Sequence, residues 1–502
     1  MIKITKLNAS YVRVDIDDFG LEQEFSDFFT FLTPGHQFMP KFRSGIWDGK
    51  TRLYNGRNKQ LPYGLVEVAK KFAELRDEKI EVNVEPNELD IEEKEILEFI
   101  DSLNLHARGK PIELREYQRE AIVRIIQQRR CIAIAPTSSG KSALLYCLIR
   151  WLLSKEPDER ILLVVPSTQL VEQMFSDFAD YSSGNGWDVE SEVQMLYSGK
   201  DKVFSKSVMI STWQSLNAMM KNGTKMFADI VEHTTVGLFD EAHVYKSTEV
   251  IKTMDRFVNA YRRVGTTGTL DGSKINELTL TGLIGPTFQV ITTKKLMDDG
   301  HVTPLKIQAI VLRHPEELRK FHKGMKYTEE INFIISSEQR NKFISRLALS
   351  CSGNTLILYN FVEKHGSVIY EDLIRRNTDP DRKIYFIHGA VATKEREIIR
   401  KIVEIESNAI IVATASLFST GTNIPSLENI IFAIPTKSTI RVRQSIGRGL
   451  RLKSGKKWCT LYDISDDITY KNYRNTTLKH LAERIRIYDK EQFDYKIVKI
   501  DL

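Results

Sequence analysis

The sequence predicts an α/β fold with two parallel-sheet lobes preceded by a small N-terminal α/β domain. Two series of short apolar strands alternate with helical stretches, one from residue 111 to about 290 and the other from 346 to 465. This alternation is typical of parallel sheets covered by helices. Only the first series contains a Ser/Gly-rich loop between a strand and a helix. A length of 502 residues also exceeds what one core usually supports.

Composition and charge exclude several classes of protein. Apolar residues make up 42% and charged residues 27%, which is ordinary for a soluble globular chain. The four cysteines are scattered without a C-x-x-C pair, which argues against disulfides and zinc and favours a reducing cytoplasm. No apolar run is long enough to span a bilayer, so no membrane role is expected. The net charge of +6 permits a polyanionic partner without requiring one.

Residues 1–110 are predicted to form the small N-terminal domain, with a connecting helix near its end. Within it, residues 38–59 carry six basic side chains against one acidic side chain, with aromatic residues between them. This interleaving suits contact with phosphates and stacking on bases. A hairpin with a solvated basic face and a core Trp explains the pattern equally well. The candidate nucleic-acid contacts are Arg43, Trp47, Lys50 and Arg52.

The loop APTSSGKS runs from Ala135 to Ser142, between the apolar runs CIAI and ALLYCLI. Strand, tight loop and helix in this order bring backbone N–H groups and a helix N-terminus to one point, where a polyphosphate can bind. Lys141 would reach the outer phosphates and Ser142 would hold Mg²⁺, which indicates an ATP site. The alternative is a Ser/Gly-rich turn before a buried helix, since Ala135 stands where the simplest motif has glycine. The other candidates in this loop are Thr137, Ser138, Ser139 and Gly140.

The later strands of the first series each end in polar residues, which should meet the phosphate loop at the carboxyl edge of the sheet. One of these segments, DEAH, lies about a hundred residues after the loop. Asp240 is suited to hold Mg²⁺ through water, and Glu241 to orient or deprotonate the water that attacks a phosphoanhydride. DEAH alone would fit an ordinary helix N-cap. We assign residues 111–295 to the first lobe and residues 296–345 to a link between lobes.

The second lobe, residues 346–465, has no phosphate loop of its own. It contains QSIGRGLR, in which Arg448 and Arg451 lie one helical turn apart on a single face. Such a pair suits arginine fingers, which stabilise charge in the transition state of phosphoryl transfer. Contact with acidic side chains or nucleic acid is the alternative. Residues 466–502 are predicted to form a basic helical tail.

An ordered set of motifs gives residues 111–465 a resemblance to the superfamily-2 helicases. The motifs are REYQ, APTSSGKS, VVPSTQL, ISTWQSL, DEAH, GTTGT, IVATASLFSTGTNIP and QSIGRGLR. The segments FMPKFRSGIWDGKTRLYNGRNKQLPYGLV and TTKKLMDDGHVTPLKI look like the UvsW helicases of tailed bacteriophages, which extends the resemblance to nearly the whole chain. The resemblance implies two RecA-like lobes and an ATP hydrolase that unwinds nucleic acid, with ATP and Mg²⁺ as cofactors.

The resemblance implies roles for residues at matching positions. Arg115 and Gln118 should recognise adenine, and Gly421 should contribute to nucleotide binding. Gln444 should complete the ATP site together with the two arginines. Asn423 stands where many relatives carry Asp, which leaves details of coupling open.

Other matching positions concern the nucleic acid. His243, Thr267 and Thr269 should couple the ATP site to DNA, although Thr-Gly-Thr replaces the more usual Ser/Thr-Ala-Thr. Hydroxyls and helix N-termini at strand ends suit phosphates. Contacts with the DNA backbone are therefore implied for Ser167, Thr168, Thr212 and Thr414.

From the resemblance we expect a DNA motor that unwinds or remodels branched structures in phage replication, recombination and repair. Such structures include forks, Holliday junctions, D-loops and R-loops with their RNA–DNA hybrids. Single-strand-binding or recombination proteins are expected partners, and a monomer in the host cytoplasm is the expected state. An RNA helicase, the motor subunit of a restriction enzyme and a nucleotide-gated DNA-binding switch are the alternatives. The absence of a nuclease signature and the presence of Glu241 and the arginine pair disfavour the last two.

Overall fold

The computed structural model divides the chain into two compact units. The first comprises residues 1–135 and 140–290, and the second comprises residues 136–139 and 291–502. No helix in the described part of the chain is both long and apolar enough to cross a membrane. The described residues are 1–197, 204–270, 272–389, 391, 393–415, 426–434, 447, 450, 452 and 456–502.

The N-terminal domain forms a small sheet covered by helices. Its elements are β1 Ile2–Lys6, β2 Tyr11–Ile16, α1 Phe19–Phe28, β3 Thr30–Leu32, α2 Pro40–Arg43, β4 Lys50–Arg52, β5 Gln60–Pro62, α3 Val66–Glu74, β6 Ile80–Asn83, α4 Glu93–Ser102, β7 His106–Ala107 and β8 Lys110–Pro111. The four-stranded sheet has the order β5-β2-β1-β6, and β3 pairs separately with β4. Phe25 of α1 and Phe72 of α3 are fully buried and meet edge to face, with ring centroids 5.1 Å apart. This aromatic contact joins the two helices over the sheet.

The first lobe is a parallel sheet with helices between its strands. Its elements are α5 Glu116–Ile126, β9 Arg130–Ile134, α6 Lys141–Lys155, β10 Ile161–Val165, α7 Thr168–Ser182, α8 Val189–Glu192, β11 Val193–Leu196, β12 Val208–Thr212, α9 Trp213–Lys221, α10 Lys225–His233, β13 Val236–Phe239, α11 Thr248–Met254, β14 Arg262–Thr267, α12 Lys274–Leu283 and β15 Thr287–Gln289. The order of its seven strands is β11-β12-β10-β13-β14-β9-β15. All five residues of β10 are buried, because helices cover both faces of a parallel sheet.

The N-terminal domain packs against the first lobe within the same unit. The Ala9 amide donates to the carbonyl of Val258 at 2.9 Å, and Arg263 Nη2 donates to Ser10 Oγ at 2.7 Å. A Cβ at Gly64 would lie only 1.9 Å from the carbonyl oxygen of Thr281 in α12, so glycine permits the close approach. The domain and the lobe therefore share a packed interface across the predicted boundary at residue 110.

The second unit contains another parallel sheet. Its elements are α13 Thr293–Asp298, β16 Leu305–Arg313, α14 Glu316–Phe321, α15 Tyr327–Ser336, α16 Glu338–Ser350, β17 Asn354–Tyr359, α17 Ser367–Arg376, β18 Ile384–Ile387, α18 Thr393–Ile405, β19 Ile410–Thr414, β20 Leu427–Phe432, β21 Cys459–Asp467, α19 Thr476–Lys490 and β22 Tyr495–Asp501. The strand order is β18-β19-β17-β20-β21-β16-β22. Both seven-stranded sheets are parallel throughout, which confirms the predicted fold class.

Two segments of the second unit differ from the sequence prediction. The predicted link 296–345 supplies β16, which lies between β21 and β22 in the sheet. The predicted helical tail 466–502 contains α19 but ends in the strand β22. Both strands pair with partners that are distant in sequence, since Ile307 of β16 aligns with Leu461 and with Tyr495. A local pattern cannot reveal such pairing, and the link and the tail are therefore parts of the second sheet.

Candidate functional site

The phosphate loop lies between β9 and the start of α6, as predicted. Gly140 has a φ of 90° and Ser138 a φ of 71°, so the backbone turns through left-handed conformations immediately before the helix. The Ser139 hydroxyl donates to the carbonyl of Pro136 at 2.7 Å and closes the turn. The first amides of α6 have no partners within the helix, and its dipole favours an anion at this end. The loop therefore has the backbone form of a phosphate site.

Lys141 and Ser142 occupy the first turn of α6. Lys141 Nζ lies 3.6 Å from Glu241 Oε1, and it also donates to the carbonyl of Ala135 at 3.4 Å. Ser142 Oγ is hydrogen-bonded to the hydroxyl of Tyr181 at 2.8 Å. Sequence reasoning did not find Tyr181, because it belongs to α7 and no motif marks it.

Asp240 and Glu241 directly follow β13. Asp240 is buried, and one of its carboxylate oxygens accepts a hydrogen bond from Thr266 Oγ1 at 2.8 Å. Glu241 has a φ of 51°. Its other carboxylate oxygen, Oε2, lies 3.3 Å from His243 Nδ1. A non-glycine residue at positive φ is uncommon and costs energy, so the backbone here holds the carboxylate in a defined position.

The two neighbouring carboxyl groups have opposite pKa shifts. Burial, and then the charge of Glu241, raise the pKa of Asp240 above its ordinary value. Burial also opposes ionisation of Glu241, but Lys141 and His243 outweigh it and lower the pKa of that carboxyl. Glu241 is thus the stably charged member of the pair, while Asp240 is a buried carboxyl whose charged form a nearby cation would stabilise.

Hydrogen bonds join DEAH to the segment GTTGT at the end of β14. His243 Nδ1 lies 3.0 Å from Thr267 Oγ1, which in turn donates to the carbonyl of Thr269 at 3.0 Å. Thr266 contacts Asp240 and Thr267 contacts His243, so adjacent threonines reach different members of DEAH. The resemblance implies roles for Thr267 and Thr269 but none for Thr266, although the same motif contains it.

Gln118, the predicted adenine-recognising residue, packs on the phosphate loop. A Cβ at Gly140 would lie 2.2 Å from Gln118 Nε2. The other end of the same amide, Oε1, accepts from the Arg115 backbone N–H at 2.9 Å. The Arg115 guanidinium donates to the hydroxyl of Tyr117 at 3.1 Å. The structure thus brings Gln118 to the nucleotide candidates, while the Arg115 side chain bonds to Tyr117.

Three predicted DNA contacts lie at the carboxyl edge of the first sheet. Ser167 follows β10 and caps α7, accepting from the Leu170 amide at 3.4 Å. Thr168 is the first residue of α7 and is exposed. Thr212 ends β12 and caps α9 through the amide of Ser215 at 3.2 Å. In the second unit, Thr414 is the last residue of β19 and is buried.

The basic-aromatic segment of the N-terminal domain covers most of the connection between β3 and β4, β4 itself and the connection to β5. Arg52 makes an ion pair with Asp48 at 2.5 Å, and the Trp47 indole donates to the carbonyl of Lys50 at 2.8 Å. Arg43 Nε donates to the carbonyl of Gln37 at 3.1 Å and its side chain is exposed. Arg43, Lys50 and Arg52 are thus exposed to solvent.

The aromatic residues of that segment do not share this exposure. Tyr54 is only 2% exposed and donates to Glu22 at 2.8 Å, which contradicts a stacking role and makes Tyr54 a core residue. Phe42 meets His36 edge to face, with ring centroids 4.7 Å apart. Trp47 is half-buried. Four further candidates lie outside the described residues, namely Gly421, Gln444, Arg448 and Arg451.

Family models match three successive parts of the chain. Residues 1–83 match the N-terminal domain of the DNA helicase UvsW. Residues 111–272 match the res subunit of type III restriction enzymes, and residues 339–453 match the helicase conserved C-terminal domain. The order of the three matches agrees with the order of the domain and the two sheets.

Individual proteins extend the similarity to the full length. The ATP-dependent DNA helicase uvsW of Enterobacteria phage T4 is 33% identical over 519 residues, which covers 100% of both chains. The crystal structure of T4 UvsW superposes with a TM-score of 0.51 at 30% identity and covers 100% of this chain and 99% of that one. An HsdR subunit fragment of a type I restriction enzyme from Vibrio vulnificus gives a TM-score of 0.57 at 17% identity, covers 88% and 83% of the two chains, and shows the fold alone. With this identity across its whole length, the chain belongs to the UvsW family of ATP-hydrolysing helicases.

Proposed function

We propose that this helicase hydrolyses ATP at the Lys141–Glu241 pair and uses the energy to unwind or remodel branched DNA. The contact of 3.6 Å between Lys141 Nζ and Glu241 Oε1 is the observation that carries the proposal. ATP phosphates bound by Lys141 would draw this cation away from Glu241. Loss of the cation would raise the pKa of Glu241 and make the carboxylate a better base. Nucleotide binding would thereby prepare Glu241 to act on the attacking water.

The residues around Asp240 fit a Mg²⁺ ion. Asp240 and Ser142 provide the hard oxygen ligands that Mg²⁺ prefers, and burial leaves Asp240 in need of a cation. Mg²⁺ usually takes one or two carboxylates together with waters and substrate phosphates, so a larger acidic cluster is not required. Bound here, the ion would neutralise charge that develops on the phosphates. Thr266 would hold Asp240 in place through its hydrogen bond of 2.8 Å.

The remaining sequence candidates complete the proposal. We assign adenine recognition to Gln118 with Arg115, and coupling between hydrolysis and DNA movement to His243, Thr267 and Thr269. Phosphate contacts with DNA would come from residues at strand ends and from the exposed basic segment of the N-terminal domain. The residues proposed to contact DNA phosphates are Ser167, Thr168, Thr212, Thr414, Arg43, Lys50 and Arg52.

We assign Arg448 and Arg451 the stabilisation of transition-state charge, with Gln444 and Gly421 beside them in the nucleotide site. Lysine keeps the charge of arginine but lacks its planar fork of donors. Arg451→Lys should therefore lower ATP turnover by about a thousandfold while ATP affinity changes little. Turnover and ATP binding measured on one preparation check this. Turnover near the wild-type rate would remove Arg451 from the site.

DNA is the proposed substrate because the T4 relative, which matches the whole chain, is an ATP-dependent DNA helicase. Forks, Holliday junctions, D-loops and R-loops are the branched forms that the resemblance to the UvsW helicases implies. The test is ATPase activity with single-stranded DNA, duplex DNA, forked DNA and single-stranded RNA as separate stimulators. We expect the fork to stimulate most and RNA least, with no stimulation in Lys141→Ala. Stronger stimulation by RNA would indicate an RNA helicase. Equal stimulation by linear and forked DNA would contradict the branched-substrate assignment.

A further inference from the structure

A cavity of about 250 Å³ opens beside the carboxyl edge of the sheet in the second unit. Asn360 and Phe361, which line it, come directly after β17, and Ile434 comes two residues after β20. The opposite wall is α15, which contributes Tyr327 and Asn332. The cavity therefore lies where β17 and β20 end side by side.

This place is a topological switch point of the sheet. β17 and β20 are neighbours, but the chain leaves β17 for β18 on one side and leaves β20 for β21 on the other side. In open parallel sheets, ligands bind in the crevice that such diverging connections leave at the carboxyl edge. The sequence of residues 346–465 contains no phosphate-loop motif, so the chemistry of the lining must indicate the ligand.

The lining is apolar and aromatic with two amides at its rim. Tyr327 and Phe361 are each 45% exposed, so solvent reaches part of both rings. Asn332 and Asn360 are exposed and offer donors and acceptors. Ile331 and other isoleucines form the apolar part.

Charge argues against a phosphate in this cavity. Among the described lining residues there is no Lys, Arg, Asp or Glu, and the only titratable group besides Tyr327 is His365. Burial, and then the neighbouring Arg340, lower the pKa of His365 to about 3, so its ring is neutral. The volume is also below the range of about 300–1,000 Å³ that is typical of sites for larger ligands. An uncharged planar ring system suits the cavity better than a whole nucleotide.

A candidate contact for the DNA backbone lies next to this cavity. Thr414 ends β19, and its Cα partner in β17 is Tyr359, the residue before Asn360. A strand whose phosphate met the sheet edge at Thr414 would pass the mouth of the cavity.

We propose that this cavity takes one unstacked base of the bound DNA strand, with stacking on Phe361, next to Tyr327, and edge hydrogen bonds from Asn332 and Asn360. The proposal rests on the proposed function, which brings a single strand to the carboxyl edge. Stacking on aromatic rings tolerates any base, and amides can meet different base edges, so the site would hold a strand without selecting a sequence.

The test compares two probes bound in the presence of a non-hydrolysable ATP analogue. One is a fluorescent oligothymidylate, and the other is a strand of equal length in which every nucleotide is abasic. Phe361→Ala should weaken binding of the oligothymidylate by about fivefold to a hundredfold and leave the abasic strand unaffected. Phe361→Trp should bind both probes like the wild type. The matched control is Phe321→Ala on α14, which removes a ring that is 82% exposed and does not line the cavity.

Photocrosslinking gives a second measurement that needs no variant. Wild-type protein bound to a strand containing 5-iododeoxyuridine should yield crosslinked peptides that contain Tyr327 or Phe361. Unchanged oligothymidylate binding by Phe361→Ala would overturn the proposal, as would equal losses on both probes or crosslinks confined to other segments. If DNA still stimulates the wild-type ATPase, any of these results would overturn the base site alone and leave the proposed function in place. An ATPase without any stimulation by DNA would overturn the proposed function, and this site with it.

Discussion

The Glu241 carboxylate divides its two oxygens between Lys141 at 3.6 Å and His243 at 3.3 Å. Because a glutamine has the same shape but cannot accept a proton, Glu241→Gln separates the chemistry of this group from its packing. We expect ATP turnover to fall by about a hundredfold to ten-thousandfold, while ATP binding is kept or strengthened because Lys141 loses a competing anion. Steady-state ATPase rates and nucleotide titrations check this. Glu249→Gln, at an exposed position on α11, is the control and should hydrolyse ATP normally. Equal rates in both variants would mean that another group activates the water.

Gly140 offers a second test, because its contact can be separated from its conformation. At this position a Cβ would lie 2.2 Å from Gln118 Nε2, at a φ of 90°. Since the clash is with the end of a flexible side chain, Gly140→Ala should displace Gln118 and weaken binding of a fluorescent ATP analogue by about tenfold or more. Gly186→Ala has a similar positive φ of 71° but no atom within 4 Å, so it controls for backbone strain alone. The same loss of affinity in both variants would remove Gln118 from the explanation.

Sequence reasoning finds residues within a motif better than their partners. The residues of APTSSGKS and DEAH are contiguous, so the sequence alone identifies them. Tyr181 and Thr266 contact Ser142 and Asp240 across elements, and only the packing of α7 and the register of β14 bring them there. Tyr54 shows a limit of the basic-aromatic pattern, because an aromatic residue between basic ones can equally well face the core, as Tyr54 does.

At the scale of elements, continuous burial made the inner strands recognisable. β10 and β12 are buried at every residue, and such apolar runs stand out in a sequence. β22 does not stand out, since all of its residues are exposed or half-buried and it lies at the edge of its sheet. Edge strands carry little apolar signal, which explains why the last segment was predicted as a helical tail.

The 3₁₀ turn Tyr63–Leu65 of the N-terminal domain packs closely against α12 of the first lobe. This contact helps to attach the domain to the lobe. A Cβ at Gly64 would meet the backbone carbonyl oxygens of Thr281 and Gly282, which cannot move aside cheaply. Gly64→Ala should therefore lower the free energy of unfolding of the first unit by about 1–3 kcal/mol. Urea unfolding of the full chain measures this. Gly56→Ala, which meets only an ordinary contact at 3.6 Å, should change it by less than about 0.5 kcal/mol. Equal stabilities would show that the domain is loosely attached.

At the scale of the whole molecule, the second unit carries a buried ionic network that the sequence did not reveal. Arg340 pairs with Asp466 at 2.9 Å, His314 Nε2 lies 3.0 Å from the same carboxylate, and all three side chains are fully buried. Burial raises the pKa of Asp466, but Arg340 and His314 outweigh it and lower the pKa below its ordinary value. Arg340 Nη1 also lies 3.4 Å from His365 Nε2, so a neutral His365 can accept its hydrogen bond. Each of these groups belongs to a different element, and only the completed fold brings them together.

This network predicts that acid destabilises the second unit through two groups, first through His365 and at lower pH through Asp466 as well. The pKa of His365 in the folded protein is about 3, below its ordinary value near 6.5. The contribution of neutral His365 to stability is therefore intact above about pH 6.5 and is lost as the pH falls from there towards 3. The contribution of Asp466 is lost only below about pH 4, where the unfolded chain begins to bind the proton. Between pH 7 and pH 5 the loss from His365 alone should be about 2 kcal/mol. Calorimetric unfolding of the full chain across this range measures how the free energy of unfolding changes with pH.

His365→Gln should make this change with pH smaller, because glutamine can accept a hydrogen bond from Arg340 and does not titrate. His233→Gln, at an exposed site, should leave the change with pH as it is in the wild type. An unchanged slope in His365→Gln would mean that His365 does not stay neutral in the folded protein, and the acid sensitivity would then have to come from other groups.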